Sequence, residues 1–444
     1  MQAFYWDCPR EEMQEFGWWK FLIPQLDELK QAGITALWLP PASKGANIGG
    51  MSMGYDVYDY YDLGKFPQKA TRNVNGKDEK RTWFGSESEL RELIDAAHER
   101  DLQVYADLVL NHNNGADGQE LNPIAQQNRW TKFSPQSGRF TRDWTCFNPS
   151  PYTEGAVVTF GDMPDLCHIN PRVSTNILNY AKWLVEEIGF DGFRYDFVKG
   201  FGGWIVRAIH DRTYRRDGKE VDIYGVGECW DGDNFIDTWL DSVNKWAARR
   251  SGAFDFPLRY RLKDLCDGSS FSLHRLADGG VLVVDRPFEA VTFVDNHDFR
   301  NGDEIVNDKM LAYAYILTHE GYPCVYWKDW FRYGLAEIGQ PSGIEQLVRV
   351  HENHANGDAS IVYVDDTLYV MERTGHEGKA GLLFALNSSG GTRKQWVKIG
   401  RPNATLKPVA WRAKDAVVNP QEIRTDADGW CEVEAPQRGY VVYV

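Results

Sequence analysis

The sequence predicts a (β/α)8 barrel of the TIM type, with an irregular subdomain inserted after its third strand and an antiparallel β domain at its C-terminal end. Three observations predict this. Short apolar runs alternate with helical patterns as far as about residue 355. Two connections, 40–85 and 111–170, are too long to be simple loops in a compact domain. Beyond about 356 the pattern changes to short strand-like runs separated by turn signals.

Taken in order, the apolar runs place strands at 2–6, 34–39, 103–110, 190–195, 222–228, 252–256, 290–295 and 322–326. Apolar spacing near 3.6 predicts helices over 18–31, 86–100, 174–188, 203–212, 233–248, 304–319 and 343–354. Ser86 with Glu89 three residues later reads as a capping box; Ser174 has no acid at that spacing. The connection 40–85 is rich in Gly, Tyr and Asp, and 111–170 holds Pro, Gly, Asn and aromatics. The last part gives strands at 360–364, 367–372, 380–386, 394–398, 406–411, 430–434 and 439–444. Ser388-Ser389-Gly390-Gly391 and Asp426-Ala427-Asp428-Gly429 are turn signals among them. The expected organisation is a barrel over 1–110 and 171–355, an inserted subdomain over 111–170 and a C-terminal β-sandwich over 356–444.

Composition narrows the partners. The chain has 444 residues, 43% hydrophobic and 25% charged, which is ordinary for a globular protein. No apolar run approaches the roughly 18 residues of a membrane span. A net charge of −15 repels phosphate backbones, so nucleic acid is not an expected partner. Of the 17 Trp, 21 Tyr and 22 Phe some belong to the core, and the remainder suit a partner with apolar faces and polar edges, such as a sugar ring, with a merely aromatic-rich core as the alternative. Seven cysteines are scattered at 8, 146, 167, 229, 266, 324 and 431 without zinc-type spacing. Most read as buried small hydrophobes, and Cys146 and Cys167 are close enough in sequence to pair or share a metal.

Reacting groups of such a barrel sit where its strands end. The run 103–110 leads from Asp107 into Asn111-His112, and 190–195 ends in Arg194-Tyr195-Asp196. The run 222–228 ends in Glu228-Cys229-Trp230, and 290–295 leads into Asp295-Asn296-His297-Asp298. Carboxylates, an arginine and two histidines gathered on one rim suit cleavage of a glycosidic bond. That reaction needs one acid to protonate the leaving oxygen and one carboxylate at the anomeric carbon. Its cation-like transition state is stabilised by clustered negative charge.

These residues resemble the signatures of the α-amylase family, glycoside hydrolase family 13. Asp107-Leu-Val-Leu-Asn-His112, Gly192-Phe-Arg-Tyr-Asp-Phe-Val-Lys199, Gly227-Glu-Cys-Trp230 and Phe293-Val-Asp-Asn-His-Asp298 look like its four signatures in order. Met163-Pro-Asp-Leu166 is similar to its extra signature, and Gly54-Tyr55-Asp56 with Tyr61-Asp62-Leu63-Gly64 to its segment after the second strand. The resemblance implies a retaining, endo-acting α-1,4-glucan hydrolase working on starch, glycogen and maltooligosaccharides. It casts Asp196 as nucleophile, Glu228 as acid and base, and Asp298 as the group that binds sugar hydroxyls in the distorted transition state. Arg194 would hold Asp196 ionised, His112 and His297 would bind the sugar being cleaved, and Tyr55 would stack on it. Lys199 and Trp230 would contact the leaving-group side. Asp107 reads as structural.

The resemblance further implies a structural calcium ion, with Asn111 and Asp165 as side-chain ligands and Gly200 supplying its backbone carbonyl. The chain departs from the family pattern where relatives place a further Asp before the Pro-Asp motif. Here stands Ala156-Val157-Val158-Thr159, with Asp162 the nearby acid. A transglycosylase of the same family, or a non-catalytic carbohydrate-binding protein on the same fold, are the alternatives. The expected state is a monomer. The expected location is outside the cell after loss of a leader, with a cytoplasmic enzyme acting on internal glucan as the other possibility.

Overall fold

The computed structural model describes residues 1–8, 17–46, 52–69, 80–154, 158–247 and 250–444. They form two compact units. The first holds Met1–Lys30, Thr35–Trp230 and Phe235–Ala253, and the second Gln31–Ile34, Asp231–Asn234 and Phe254–Val444.

Parallel strands organise the barrel region. They are β1 (Ala36–Trp38), β2 (Gln103–Leu108), β3 (Gly192–Tyr195), β4 (Tyr224–Gly227), β5 (Gly252–Phe254), β6 (Ala290–Phe293) and β7 (Tyr322–Cys324), adjacent in that order in one sheet. The run predicted over 2–6 contributes a single parallel bridge, Gln2 to Trp38, on the far side of β1. Helices separate most strands: α1 (Glu87–His98), α2 (Pro171–Trp183), α3 (Trp204–His210), α4 (Asp233–Asn244), α5 (Phe256–Asp267), α6 (Lys309–Thr318) and α7 (Ile344–His354). The alternation of strand and helix is the one the apolar periodicity predicts.

Local chemistry sets the helix limits. At α1, the Ser86 side chain accepts from Glu89 N and the Glu89 carboxylate accepts from Ser86 N, the predicted box. The next helix starts earlier than predicted, because Asn170 caps it and Pro171 fits its first turn. The helix expected over 18–31 is broken into Trp18–Leu22, a 3₁₀ turn Ile23–Gln25 and Leu26–Ala32, since Pro24 has no N–H to give. The sequence reading has no counterpart to α5. Its cap, Asp255, accepts from Leu258 N at 3.0 Å, and Pro257 occupies the first turn. The strand assigned over 252–256 overran this start signal.

The insertion after β2 contains an antiparallel hairpin, Gly118–Asn122 with Gln127–Lys132, and the bridges Phe133–Arg142 and Phe147–Leu166. A further bridge, His112–Asp165, ties its end to its beginning. The C-terminal strands are β8 (Ala359–Val364), β9 (Leu368–Arg373), β10 (Leu383–Asn387), β11 (Arg393–Lys398), β12 (Pro408–Arg412), β13 (Trp430–Ala435) and β14 (Gly439–Tyr443). Five form an antiparallel sheet in the order β8-β9-β10-β14-β12, and β11 pairs with β13. Side chains of both sheets, including Val370, Ala385, Val397, Val433 and Val441, share one core.

Candidate active site

Strand register brings the first group of predicted residues together. Leu108, Tyr195 and Gly227 are level across β2, β3 and β4, and Arg194 lies beside Asp107. The next residues therefore emerge side by side. Asp196 N–H donates to Leu108 O at 3.0 Å and Glu228 N–H to Tyr195 O at 2.9 Å.

Arg194 is the hub. One terminal nitrogen donates to Asp107 Oδ1 at 2.8 Å and Asp196 Oδ1 at 2.7 Å, and the other meets Glu228 Oε1 at 2.9 Å. Asp107, Arg194, Asp196 and Glu228 are all buried. Burial opposes the guanidinium charge, but Asp107, Glu228 and Asp196 overcome it and hold the group well above the ordinary arginine range. Burial pushes the Asp107 carboxyl up to about 6 against the pull of Arg194. Its other oxygen accepts from Tyr55 Oη at 2.9 Å and Trp38 Nε1 at 3.0 Å. Glu228 Oε2 accepts from Phe197 N at 2.8 Å. With every carboxyl ionised, three negative charges face one positive charge.

Aromatic rings surround this cluster. Trp6 stacks on Tyr55, with planes 8° apart and centroids separated by 6.1 Å. His112 Nε2 lies 2.9 Å from Tyr55 O, and burial lowers its pKa, favouring the neutral ring. Phe160 stacks on His112 at 4.7 Å. Trp6, Trp38 and Phe160 were not singled out from sequence, since one aromatic among 60 carries no positional signal. Lys199 Nζ donates to Trp230 O at 3.0 Å, and the Trp230 side chain is exposed.

In the second unit, His297 and Asp298 are adjacent, with Nε2 to Oδ2 at 3.2 Å, and Asp298 N–H donates to Asn296 Oδ1 at 2.9 Å. Beneath them is an ion network that the sequence did not disclose. Asp295 binds Arg259 at 2.7 Å and Lys309 Nζ at 2.8 Å, and Lys309 also binds Asp329 at 2.7 Å. Tyr313 Oη donates to Asp329 at 2.6 Å.

The three predicted calcium ligands are neighbours. Asn111 Nδ2 donates to Asp165 Oδ1 at 3.3 Å, while the buried Asn111 Oδ1 has no hydrogen-bond partner. A Cβ on Gly200 would lie 2.0 Å from that oxygen, so only glycine fits there. Burial raises the Asp165 carboxyl above its usual range. An orphaned amide oxygen beside a carboxylate suits a hard cation. Asp162 is exposed, whereas Glu154 turns inward to accept from His168 N at 2.8 Å. Among the described residues, no group of three or more His, Cys, Asp or Glu could hold a metal. Cys146 and Cys167 are both buried and form no disulfide with each other.

Residues 9–329 match the family described as "Alpha amylase, catalytic domain". The chain belongs to the alpha-amylase family. An alpha-amylase of Geobacillus stearothermophilus is 30% identical over all of this chain and 86% of its own length. Among solved structures, the alpha-amylase of Geobacillus thermoleovorans superposes with a TM-score of 0.68 at 21% identity, covering 100% of this chain and 94% of that one. The gamma-CGTase of alkalophilic Bacillus clarkii gives 0.66 at 18%, covering 96% of this chain and 64% of that one. The protein is thus a glycoside hydrolase of the alpha-amylase type with that family's fold. No helix among the described residues is long and apolar enough to cross a membrane.

Proposed function

We propose that the protein is a retaining, endo-acting α-1,4-glucan hydrolase that cleaves starch, glycogen and maltooligosaccharides. The observation that carries the reading is the single guanidinium of Arg194 bridging Asp196 and Glu228 at the level ends of β3 and β4. Two carboxyl groups fixed about one point, with excess negative charge, match what an oxocarbenium-like transition state requires.

In this reading Asp196 attacks the anomeric carbon while the bond to the leaving sugar breaks and Glu228 gives its proton to the departing oxygen. Water then attacks the glycosyl ester, Glu228 takes its proton, and Asp196 is released. Two inversions retain the α configuration. Asp298 holds hydroxyls of the distorted ring, His112 and His297 bind the same sugar, and Tyr55 stacks on it. Lys199 and Trp230 contact the leaving side. In the unliganded geometry both Glu228 oxygens accept charge-favouring bonds, from Arg194 and Phe197 N–H. Its protonation therefore draws on the negative charge of Asp107 and Asp196 nearby and on exclusion of water by the bound chain.

Asn111, Asp165 and the Gly200 carbonyl would hold a calcium ion, which would brace the end of the inserted segment against β2 and the turn after β3. We also propose that the enzyme acts as a monomer outside the cell, where such polymers are met. Finding the activity with the cytoplasmic fraction would overturn that location.

The test is a product analysis on maltoheptaose. Shorter α-configured products, abolished in Asp196→Asn and Glu228→Gln, support the reading. Products longer than the substrate would make the protein a transglycosylase. Activity within tenfold of wild type in both variants would remove these residues from the chemistry.

A further inference from the structure

The two-stranded sheet β11–β13 has an inner and an outer face. Val397, Cys431, Val433 and Ala435 point into the C-terminal core. Alternation along a strand then sends Lys394, Trp396 and Lys398, with Trp430, Glu432 and Glu434, to the opposite face. Polar residues are expected there, yet Trp396 is 58% exposed and Trp430 42%. The register sets Lys394 opposite Glu434, Trp396 opposite Glu432 and Lys398 opposite Trp430. Trp396 and Trp430 are therefore diagonal neighbours, on backbone positions about 7–8 Å apart along one face.

We propose that this face is a second α-glucan-binding surface, separate from the strand-end carboxylates, on which two sugar rings of one chain stack against Trp396 and Trp430. The identity of the polymer rests on the proposed function; the existence of a sugar platform does not. Three features of the face select a neutral polyol. Indole rings offer flat apolar area to the C–H face of a pyranose. The surrounding side chains, two lysines and two glutamates, sum to zero charge, so the patch attracts neither an anionic membrane nor a phosphorylated ligand. Lys394 reaches Glu434 at 3.0 Å, which leaves charged hydrogen-bonding groups level with the rings, where sugar hydroxyls project.

A second copy of the chain is a poorer occupant. Two indoles offer at most about 150–250 Å² each, short of the roughly 800 Å² per partner of a stable interface. A platform of this kind would tether a long polymer and raise the effective concentration of chain segments for the catalytic cleft.

The experiment is affinity electrophoresis of the full chain through native gels containing soluble amylopectin, with Asp196→Asn as background so that the gel is not digested. The expected result is retardation that weakens roughly tenfold in apparent Kd, about 1.4 kcal/mol, in Trp396→Ala/Trp430→Ala. The same pair of substitutions in the active enzyme leaves kcat/KM on maltotriose-sized substrates unchanged and raises KM on amylopectin. If the double variant fails to fold, Trp396→Gln and Trp430→Gln singly replace it, each weakening retardation several-fold. Equal retardation with and without the indoles overturns the proposal, as does sedimentation showing a dimer that the double variant abolishes. Retardation without any glucan cleavage by the wild type would sink the proposed function and leave the platform standing.

Discussion

Replacing Arg194 with methionine removes the guanidinium that three buried carboxyl groups share at 2.7–2.9 Å. Breaking a buried pair by deleting one partner costs about 3–5 kcal/mol, because the other charge is left without compensation. If a comparable amount is lost from the reacting arrangement, at 1.36 kcal/mol per factor of ten, kcat falls about 10²- to 10⁴-fold. The loss has a signature beyond its size. An opposite charge at hydrogen-bond distance lowers a carboxyl pKa by about 1–3 units, so its removal moves the acid limb of the kcat/KM–pH profile upward by about one unit or more. Arg194→Lys keeps the charge and loses the planar fork, so it moves the limb less while a single ammonium still cannot hold both Asp196 and Glu228. The assay is reducing-end release from maltoheptaose across pH, run below the melting temperature of each variant. A methionine variant within tenfold of wild type, with its acid limb in place, would refute the hub role.

Three further outcomes follow from buried groups elsewhere. Lys309→Met strands Asp329 and weakens the hold on Asp295; it should cost about 3–5 kcal/mol in urea melts, most of it recovered in Lys309→Met/Asp329→Leu, and a single-variant cost under about 1 kcal/mol would contradict the network. His319 is buried between Tyr315 O at 2.8 Å and Tyr369 Oη at 2.9 Å, and burial lowers its pKa to about 3. Its folded value is below the unfolded one of about 6.5, so the stability of the neutral ring is complete above that pH and lost as pH falls toward about 3. His319→Gln should shrink the loss of stability between about pH 7.5 and 5 by about 2 kcal/mol, and an unchanged pH slope would reject the assignment. Calcium at about 100 times its Kd should stabilise by about 2.7 kcal/mol and raise Tm by roughly 3 °C over the chelated protein, with the gain lost in Asn111→Ala. Identical melting with calcium and with chelator would remove the ion from Asn111.

What the sequence disclosed follows from the range of the interactions involved. Alternation and periodicity are short-range signals, and they located every parallel strand and the longer strands of the C-terminal sheets to within a few residues, but not the two-residue strand Ile423–Arg424. The Ser86–Glu89 cap was legible because both partners lie within one turn. Helix α5 was missed although Asp255 and Pro257 mark its start, because an apolar run was allowed to absorb Phe256. The first strand was expected over five residues and shrinks to one bridge, since how much of an extended segment pairs is decided by its neighbour rather than by its own pattern.

The least legible part of the candidate site is the pair of cations behind Asp295, Arg259 and Lys309. Asp107, next to last in its strand, and Asp295, two residues beyond its own, are buried, and an unpaired buried carboxylate is too costly to keep. Each is held from behind by a buried cation distant in sequence, Arg194 for Asp107 and both Arg259 and Lys309 for Asp295. No local pattern announces Arg259 or Lys309, because an arginine or a lysine on a helix reads as a surface residue until tertiary packing encloses it. Of the acids nearest to substrate in the proposed mechanism, Asp298 follows Asp295 by three residues, and Asp196 is tied across strands to the residue after Asp107, its N–H donating to Leu108 O. Fixing the anchor therefore fixes the backbone from which the reacting side chain projects. Asp298 fits that logic, since its carboxylate is partly exposed and meets His297, while the constraint on its loop sits at Asp295. Asp196 does not fit it fully, because Arg194 binds the anchor and the reacting carboxylate at once. Loss of the hub cation should therefore both lower kcat and move a pH limb, and loss of Lys309 should lower kcat by loosening the loop that carries Asp298.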